Sequence, residues 1–599
     1  MAKRIVTCAA LALALGWALA TATAPAAEPV LELVPPDALG FGVVKNLAAT
    51  DEAIVGLGKQ MKLPTPIPSL LTTVKARANV TAGLDETGDG LVVAFAHEDT
   101  DQPPVFVLFA PVSDYAEFIG QFEPKDAKAK ITEVTILDAG FLVGRKGGYA
   151  VLAEPRHRST LKAVLEAKKG PAPELKSLGP WLDKNDVSLV ITRRGVELIT
   201  AKIQEGLRQA RQMFEMMEDL GDNQQAVQGM EMVKIAFGMY EQIVAAAGKE
   251  VAAISHGVKL DDDGAVVVRG RLQAVEGGWL DNVTRDVKTP VDNLLAGVPA
   301  GPYVFAGAGA IPEGLTEPMV EFSAAIMKAA PKLYGIPADK ADKVAELNTA
   351  SMKAFRGMSM SMGTGKPGDP IYGNLAGAMF VDDADAYLDT YRKSIDKIRE
   401  LAGENEKSVF SAMKVKQVEI DGKKALRLEM GFTQMFPVDA NPEMARVFEA
   451  MYGPGGKMSF FMAVAGKKTV AFGSTEDLLK GAIQSAGDAE GLAGDEQLKK
   501  TAARLPAGAQ SVGYWSPQGT VELINRAITD LVPADAPKIK LPPFPDTPPV
   551  GFAAKAAEGR IDMEMVVPPE LLKAVMGYVI QVQMNMMQQQ QQQAVPEEI

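Results

Sequence analysis

Phe106-Val107-Leu108-Phe109-Ala110-Pro111-Val112 runs directly into Ser113-Asp114-Tyr115-Ala116-Glu117-Phe118-Ile119-Gly120-Gln121-Phe122. Later in the chain Leu375-Ala376-Gly377-Ala378-Met379-Phe380-Val381 runs into Asp382-Asp383-Ala384-Asp385-Ala386-Tyr387-Leu388-Asp389-Thr390-Tyr391. Each stretch has the pattern of a strand entering a helix. Laid in register, Phe118 meets Tyr387, Ile119 meets Leu388 and Phe122 meets Tyr391, so both keep the spacing of a packed helix face. Ser113 or Asp114 in the first, and Asp382 or Asp383 in the second, supply the side-chain oxygen that satisfies free amides at a helix start. The chain is therefore expected to contain one module twice.

Further pairs extend the match. Tyr149-Ala150-Val151-Leu152-Ala153 leads through His157-Arg158-Ser159-Thr160 into a helix from Leu161, and Thr469-Val470-Ala471-Phe472-Gly473 leads through Ser474-Thr475 into a helix from Leu478. Each copy closes on a hairpin, Ile254 to Leu272 around Asp261-Asp262-Asp263-Gly264 and Gly551 to Val567 around Glu558-Gly559. A shorter motif before a strand occurs four times, near Pro36-Asp37-Ala38, Lys184-Asn185-Asp186, Pro299-Ala300-Gly301 and Pro506-Ala507-Gly508. Tight turns such as Lys146-Gly147-Gly148 imply antiparallel pairing. The expected class is α+β: two tandem related modules of antiparallel sheet, residues 28–290 and 291–580, with helices covering one face of each sheet. One long helical hairpin is expected at 195–248, broken near Gly221-Asp222-Asn223, and a Gln-rich low-complexity tail at 581–599.

Lys3 and Arg4, an apolar run from Val6 to Ala20 and a small-residue stretch ending Ala24-Pro25-Ala26 form the three-part pattern of a secretory signal over residues 1–27. The protein is expected to be exported, periplasmic or extracellular. No later stretch has the roughly 18 apolar residues that a membrane span needs. Cys8 is the single cysteine and lies in the leader, so the mature chain has neither a disulfide nor a thiolate nucleophile. The 599 residues, at about 150 per domain, give three or four compact units. A net charge of −13 disfavours nucleic acid, whose phosphates call for a basic face.

Candidate chemistry is sparse. His97, His157 and His256 stand too far apart in sequence to form a zinc motif. His157, between Arg156 and Arg158 at a helix start, is the best candidate for an anion contact. Ser159-Thr160-Leu161-Lys162 and Ser411-Ala412-Met413-Lys414 fit a Ser-x-x-Lys spacing without its partner motifs, and a helix cap explains Ser159. Gly363-Thr364-Gly365-Lys366-Pro367-Gly368 resembles a phosphate loop, but Met360 and Pro367 stand where that loop needs Gly and Ser or Thr. Gly307-Ala308-Gly309 lacks the third glycine of a dinucleotide fingerprint. The acidic runs Asp85-Glu86-Thr87-Gly88-Asp89-Gly90 and Asp261-Asp262-Asp263-Gly264 lack the bidentate Glu of a calcium loop and read as turns. Methionine is abundant, 28 in all. Strand alternation puts Met358, Met360 and Met362 on one face, where thioethers would suit Cu(I); the alternative is that they fill the strand's buried face. Met213, Met216 and Met217 raise the same choice on a helix.

The opening Leu33-Val34-Pro35-Pro36-Asp37-Ala38-Leu39-Gly40-Phe41, followed by a helix from Asp51, resembles the large exported proteins of unknown function found in planctomycete-type bacteria. That resemblance implies recurring strand-to-helix units and transfers no catalytic residue. The leading expectation is a non-catalytic exported envelope protein without cofactor, a binding or structural scaffold for an envelope protein or ligand. The alternatives are a hydrolase-type enzyme using carboxylates or Ser, and a carrier of a hydrophobic ligand or Cu(I).

Overall fold

The computed structural model describes residues 30–63, 65–99, 101–167, 170, 172–218, 224–285, 287, 293–329, 336–403, 413–431, 442–487, 491–532 and 540–594. The expected leader at 1–27, the expected hairpin break at 221–223 and Ser411-Ala412 lie outside the described residues. The class is α+β, with antiparallel strand pairing. Two compact units emerge, the first Met1–Gly206, Ile243–Leu280 and Arg560–Glu564, the second Leu207–Gln242, Asp281–Gly559 and Met565–Ile599.

The strands of the first unit are β1 (Gly40–Val44), β2 (Gly90–Phe95), β3 (Val105–Pro111), β4 (Ile131–Ile136), β5 (Ala139–Lys146), β6 (Tyr149–Ala153), β7 (Val187–Ile191), β8 (Val251–Leu260) and β9 (Val266–Ala274). Their order across the sheet is β4-β5-β6-β3-β2-β1-β7-β8-β9. Leu137 and Asp138 take positive φ, 51° and 60°, which lets a two-residue turn follow the twist of β4 and β5. One row of directly paired residues, Gly144-Val151-Phe109-Leu91-Val43-Ser188, crosses six strands on the core face. Its large members pack against Leu161 and Val164 of α4 (Arg158–Glu166) and against Leu175, Leu178 and Trp181. The helices before it are α1 (Leu47–Gln60), α2 (Leu70–Ala78) and α3 (Tyr115–Gly120). Asp114 caps α3 by accepting from the amides of Ala116 and Glu117 at 2.8 and 2.9 Å.

All five residues of β6 are buried: Tyr149, Val151 and Ala153 join one cluster, Ala150 and Leu152 a second with Phe118 and Phe122. The expectation of helices on one face only is therefore overturned. A strand with no polar face must be covered on both sides. After β7 come α5 and α6, the long helices Arg193–Glu218 and Gln224–Glu250, whose Phe214 and Phe237 rings lie 5.5 Å apart.

The second unit contains β10 (Tyr303–Ala310), β11 (Phe355–Gly363), β12 (Leu375–Val381), β13 (Lys414–Ile420), β14 (Lys423–Gly431), β15 (Lys457–Gly466), β16 (Thr469–Gly473), β17 (Ser511–Trp515) and β18 (Val550–Ala557). The order is β13-β14-β15-β16-β12-β11-β10-β17-β18. The turn Glu558-Gly559, with φ of 52° and 74°, leads from β18 to β19 (Arg560–Val567). Here the central row is Ala463-Ala471-Ala378-Ser359-Ala308-Val512. Small residues suffice because main chain lies on them: a Cβ on Gly297, whose φ is +81°, would stand 2.4 Å from Cβ of Ala378. The fully buried Ser359 hydroxyl donates to the carbonyl of Ala296 and accepts from the Ala378 amide at 3.2 Å, so burial leaves it satisfied.

On the opposite face, α7 (Ala384–Ala402) is capped by Asp383, which accepts from Ala386 N at 2.9 Å. Tyr387 and Leu388 pack there on Val470 and Phe472. Towards β17 and β18 the same face is covered by α8 (Pro517–Leu531) and α9 (Pro569–Ala594), with Val521, Phe544, Val550 and Leu571 in one cluster.

Candidate functional site

β17 ends and the chain turns into helix at Trp515-Ser516-Pro517, where each residue has a local task. Ser516 caps α8 by accepting from Gly519 N at 3.0 Å, and Pro517 fits the first helical turn, where no amide is needed. Trp515 is left on the sheet face beside the helix. With Phe552 of β18, Met565 and Val567 of β19, Val521 of α8, and Leu571, Val575 and Tyr578 of α9, it lines a cavity of about 440 Å³. That volume falls in the ligand-site range of roughly 300–1,000 Å³.

The wall is hydrocarbon and aromatic ring. Its amphipathic members have their polar tips committed to the protein: Trp515 Nε1 donates to Thr520 Oγ1 at 2.8 Å, Thr520 Oγ1 donates to Ser516 O at 2.9 Å, and Tyr578 Oη donates to Pro542 O at 2.9 Å. Burial pushes the Tyr578 phenol above its ordinary value, so at neutral pH it is a donor and not a base. No wall residue combines a nucleophile with a general base, and the arrangement offers an apolar guest desolvation and ring contacts.

A second concavity, about 560 Å³, is lined by Asp385, Asp389 and Arg392 of α7 and by Lys423 and Lys424 of β14 over a floor of Leu388 and Leu426. Lys393 first, and then Arg392, bond Asp389 and hold its carboxyl below the ordinary range. Two other phenols of the unit, Tyr387 and Tyr514, are pushed up to about 12 by burial and stay protonated.

The residues singled out by sequence fall as follows. Met358, Met360 and Met362 do share one face, but it is not the strand's buried face: Ser359 and Ser361 are buried and the methionines are half-buried on the other side. Val512 and the alanines of the central row occupy the buried side, where main chain leaves no room for thioethers. Met358 stands opposite Met379, and with Met360 packs beside Phe355, Tyr387 and Tyr391, while Met379 Sδ accepts from Tyr387 Oη at 3.7 Å. Met213 and Met216 are exposed, and the Met217 side chain lies outside the described residues.

Chain folding brings two distant histidines together. His97 and His157 lie 5.8 Å apart edge to face, next to the Glu154–Arg156 ion pair of 2.6 Å. His97 Nδ1 accepts from Asp99 N at 3.1 Å. Burial first, then Arg156, holds His157 below its ordinary value. His256 is exposed on β8, opposite Leu189.

Ser159 lies inside the first turn of α4. His157 occupies the cap position without a side-chain bond, so the cap reading of Ser159 is corrected; in the second unit Thr475 does cap, accepting from Leu478 N at 3.2 Å. The glycine loop from Gly363 has its carbonyls held from inside. Buried Arg526 of α8 donates to Thr364 O and to Pro370 O at 3.3 Å, and Lys366 N donates to Asp369 Oδ2 at 2.8 Å. A loop whose carbonyls face a guanidinium is a structural latch. In the acidic runs, Asp85 accepts from Thr87 at 2.9 and 3.0 Å, and Gly264 N donates to Asp261 O at 2.8 Å, both closing turns. Among known proteins, no family model, no curated protein and no solved structure matches the chain.

Proposed function

We propose that this is a non-catalytic exported binding protein of the cell envelope, built from two copies of one module, of which the second takes an apolar guest in the cavity between β17–β19, α8 and α9. The observation that carries the reading is the cavity wall: Trp515, Thr520 and Tyr578 turn every polar tip to a partner in the protein, so a guest meets only carbon. Desolvation of apolar surface then supplies the affinity, at about 25 cal/mol per Å² buried.

The duplication is supported by strand order. Reading β1, β2, β3, β6, β5 and β7 against β10, β11, β12, β16, β15 and β17 gives the same neighbours, and the helix following β3 is capped by Asp114 as the helix following β12 is by Asp383. The second unit adds one strand, with β13 pairing on β14.

The test is titration with the apolar dye N-phenyl-1-naphthylamine, read by energy transfer from Trp515. Saturable one-to-one binding is expected, displaced by dodecanol and abolished by Val575→Trp, which fills the cavity mouth. Absence of saturable binding, or equal binding by the filled variant, would overturn the reading.

A further inference from the structure

The helix that closes the cavity continues well past it. Val575 lines the cavity, and beyond it Val579, Ile580, Met584, Met586 and Met587 project from α9; all six are between 37% and 56% exposed. At about 100° per residue they spread over an arc of about 180° around the helix. We propose that α9 lies in the surface of a lipid bilayer and that the guest of the adjoining cavity is a lipid acyl chain; the second clause rests on the apolar-guest reading above.

Arc width decides between occupants. A partner helix covers a stripe of about 100°, and a coiled-coil seam less, so a second copy of this chain would leave half of these side chains in water. A helix half sunk in the headgroup boundary covers the whole arc. Charge points the same way. From Ala574 to Gln593 the sequence has no charged residue, so sinking the helix desolvates none, while Lys573 at its start can run its stem along the apolar side with the ammonium at headgroup level. The chain as a whole carries −13, which removes attraction to anionic lipid and leaves apolar burial as the driving force. The half-exposed Trp515 at the cavity rim is a ring type that favours such a boundary. No helix among the described residues is long and apolar enough to cross a membrane, and α9 is assigned to lie on one.

Flotation of the full chain with phosphatidylcholine vesicles tests this. Binding is expected that is indifferent to salt and weakened by added phosphatidylglycerol. The triple variant Ile580→Glu, Met584→Glu, Met587→Glu, remote from the cavity, is expected to lose about tenfold in vesicle affinity, a change of about 1.4 kcal/mol, with dye binding unchanged. Failure of the wild-type chain to float, or equal flotation of the triple variant, overturns the bilayer. A fall from dimer to monomer in that variant, by sedimentation, overturns it in favour of a second copy. Flotation retained by Met565→Trp, a cavity-lining residue outside the exposed arc of α9, with dye binding lost keeps the surface contact separate from the cavity; dye binding without displacement by phosphatidylcholine overturns the acyl-chain guest.

Discussion

The row through Phe109 and the row through Ala378 each cross six strands whose neighbours follow the same order in the two units, yet one is built of bulk and the other of almost nothing. In the first unit Val151, Phe109, Leu91 and Val43 fill the space themselves and meet the side chains of Leu175, Leu178 and Trp181. In the second, Ala378 and Ser359 leave the space to the backbone of the Leu295–Val298 turn, and the small Ala471 lets Leu479 and Ala482 come close. Close packing can be reached either way, because the interior requires filled volume and is indifferent to whether side chain or main chain supplies it. The two solutions fail differently. A bulky row breaks on truncation, and a thin row breaks on enlargement.

The largest effect is expected from Phe109→Ala, which removes a fully buried ring and should destabilise the first unit by about 3–5 kcal/mol in denaturant unfolding. The mirror substitution Ala378→Phe should cost about 1–3 kcal/mol or more, since the ring would enter the space of Gly297. If Ala378→Phe is tolerated and Phe109→Ala is not, the thin row is loosely covered and the contrast is broken. Asp114→Ala and Asp383→Ala sharpen it from the other side: the caps are alike, so each should cost about 1 kcal/mol.

The smallest effect is a pH dependence confined to the first unit. His157 is held below its ordinary value of 6.5 by burial and Arg156, so the folded chain favours the neutral ring. As pH falls through 6.5 the unfolded chain takes up the proton first, and stability that is full above this value declines below it, until the folded ring protonates too. Thermal unfolding from about pH 7.5 to 5.5 should lose less in His157→Gln than in the wild type. An identical slope in the variant would remove His157 from the comparison.

Local pattern made much of this legible. The strand-to-helix stretches, their aspartate caps, the glycine-bearing turns and the shared face of Met358, Met360 and Met362 follow from periods and cap chemistry that act within a few residues. The long-range facts did not show. His97 and His157 meet because a loop after β2 and a turn after β6 fold to one place, and no spacing in sequence encodes that. The cavity likewise draws on β17, β18, β19, α8 and α9, whose residues carry no common motif. Alternation told which residues of β11 share a side, but only the main chain resting on Ser359 and Ala378 decided which side is buried, since burial depends on what else occupies the volume.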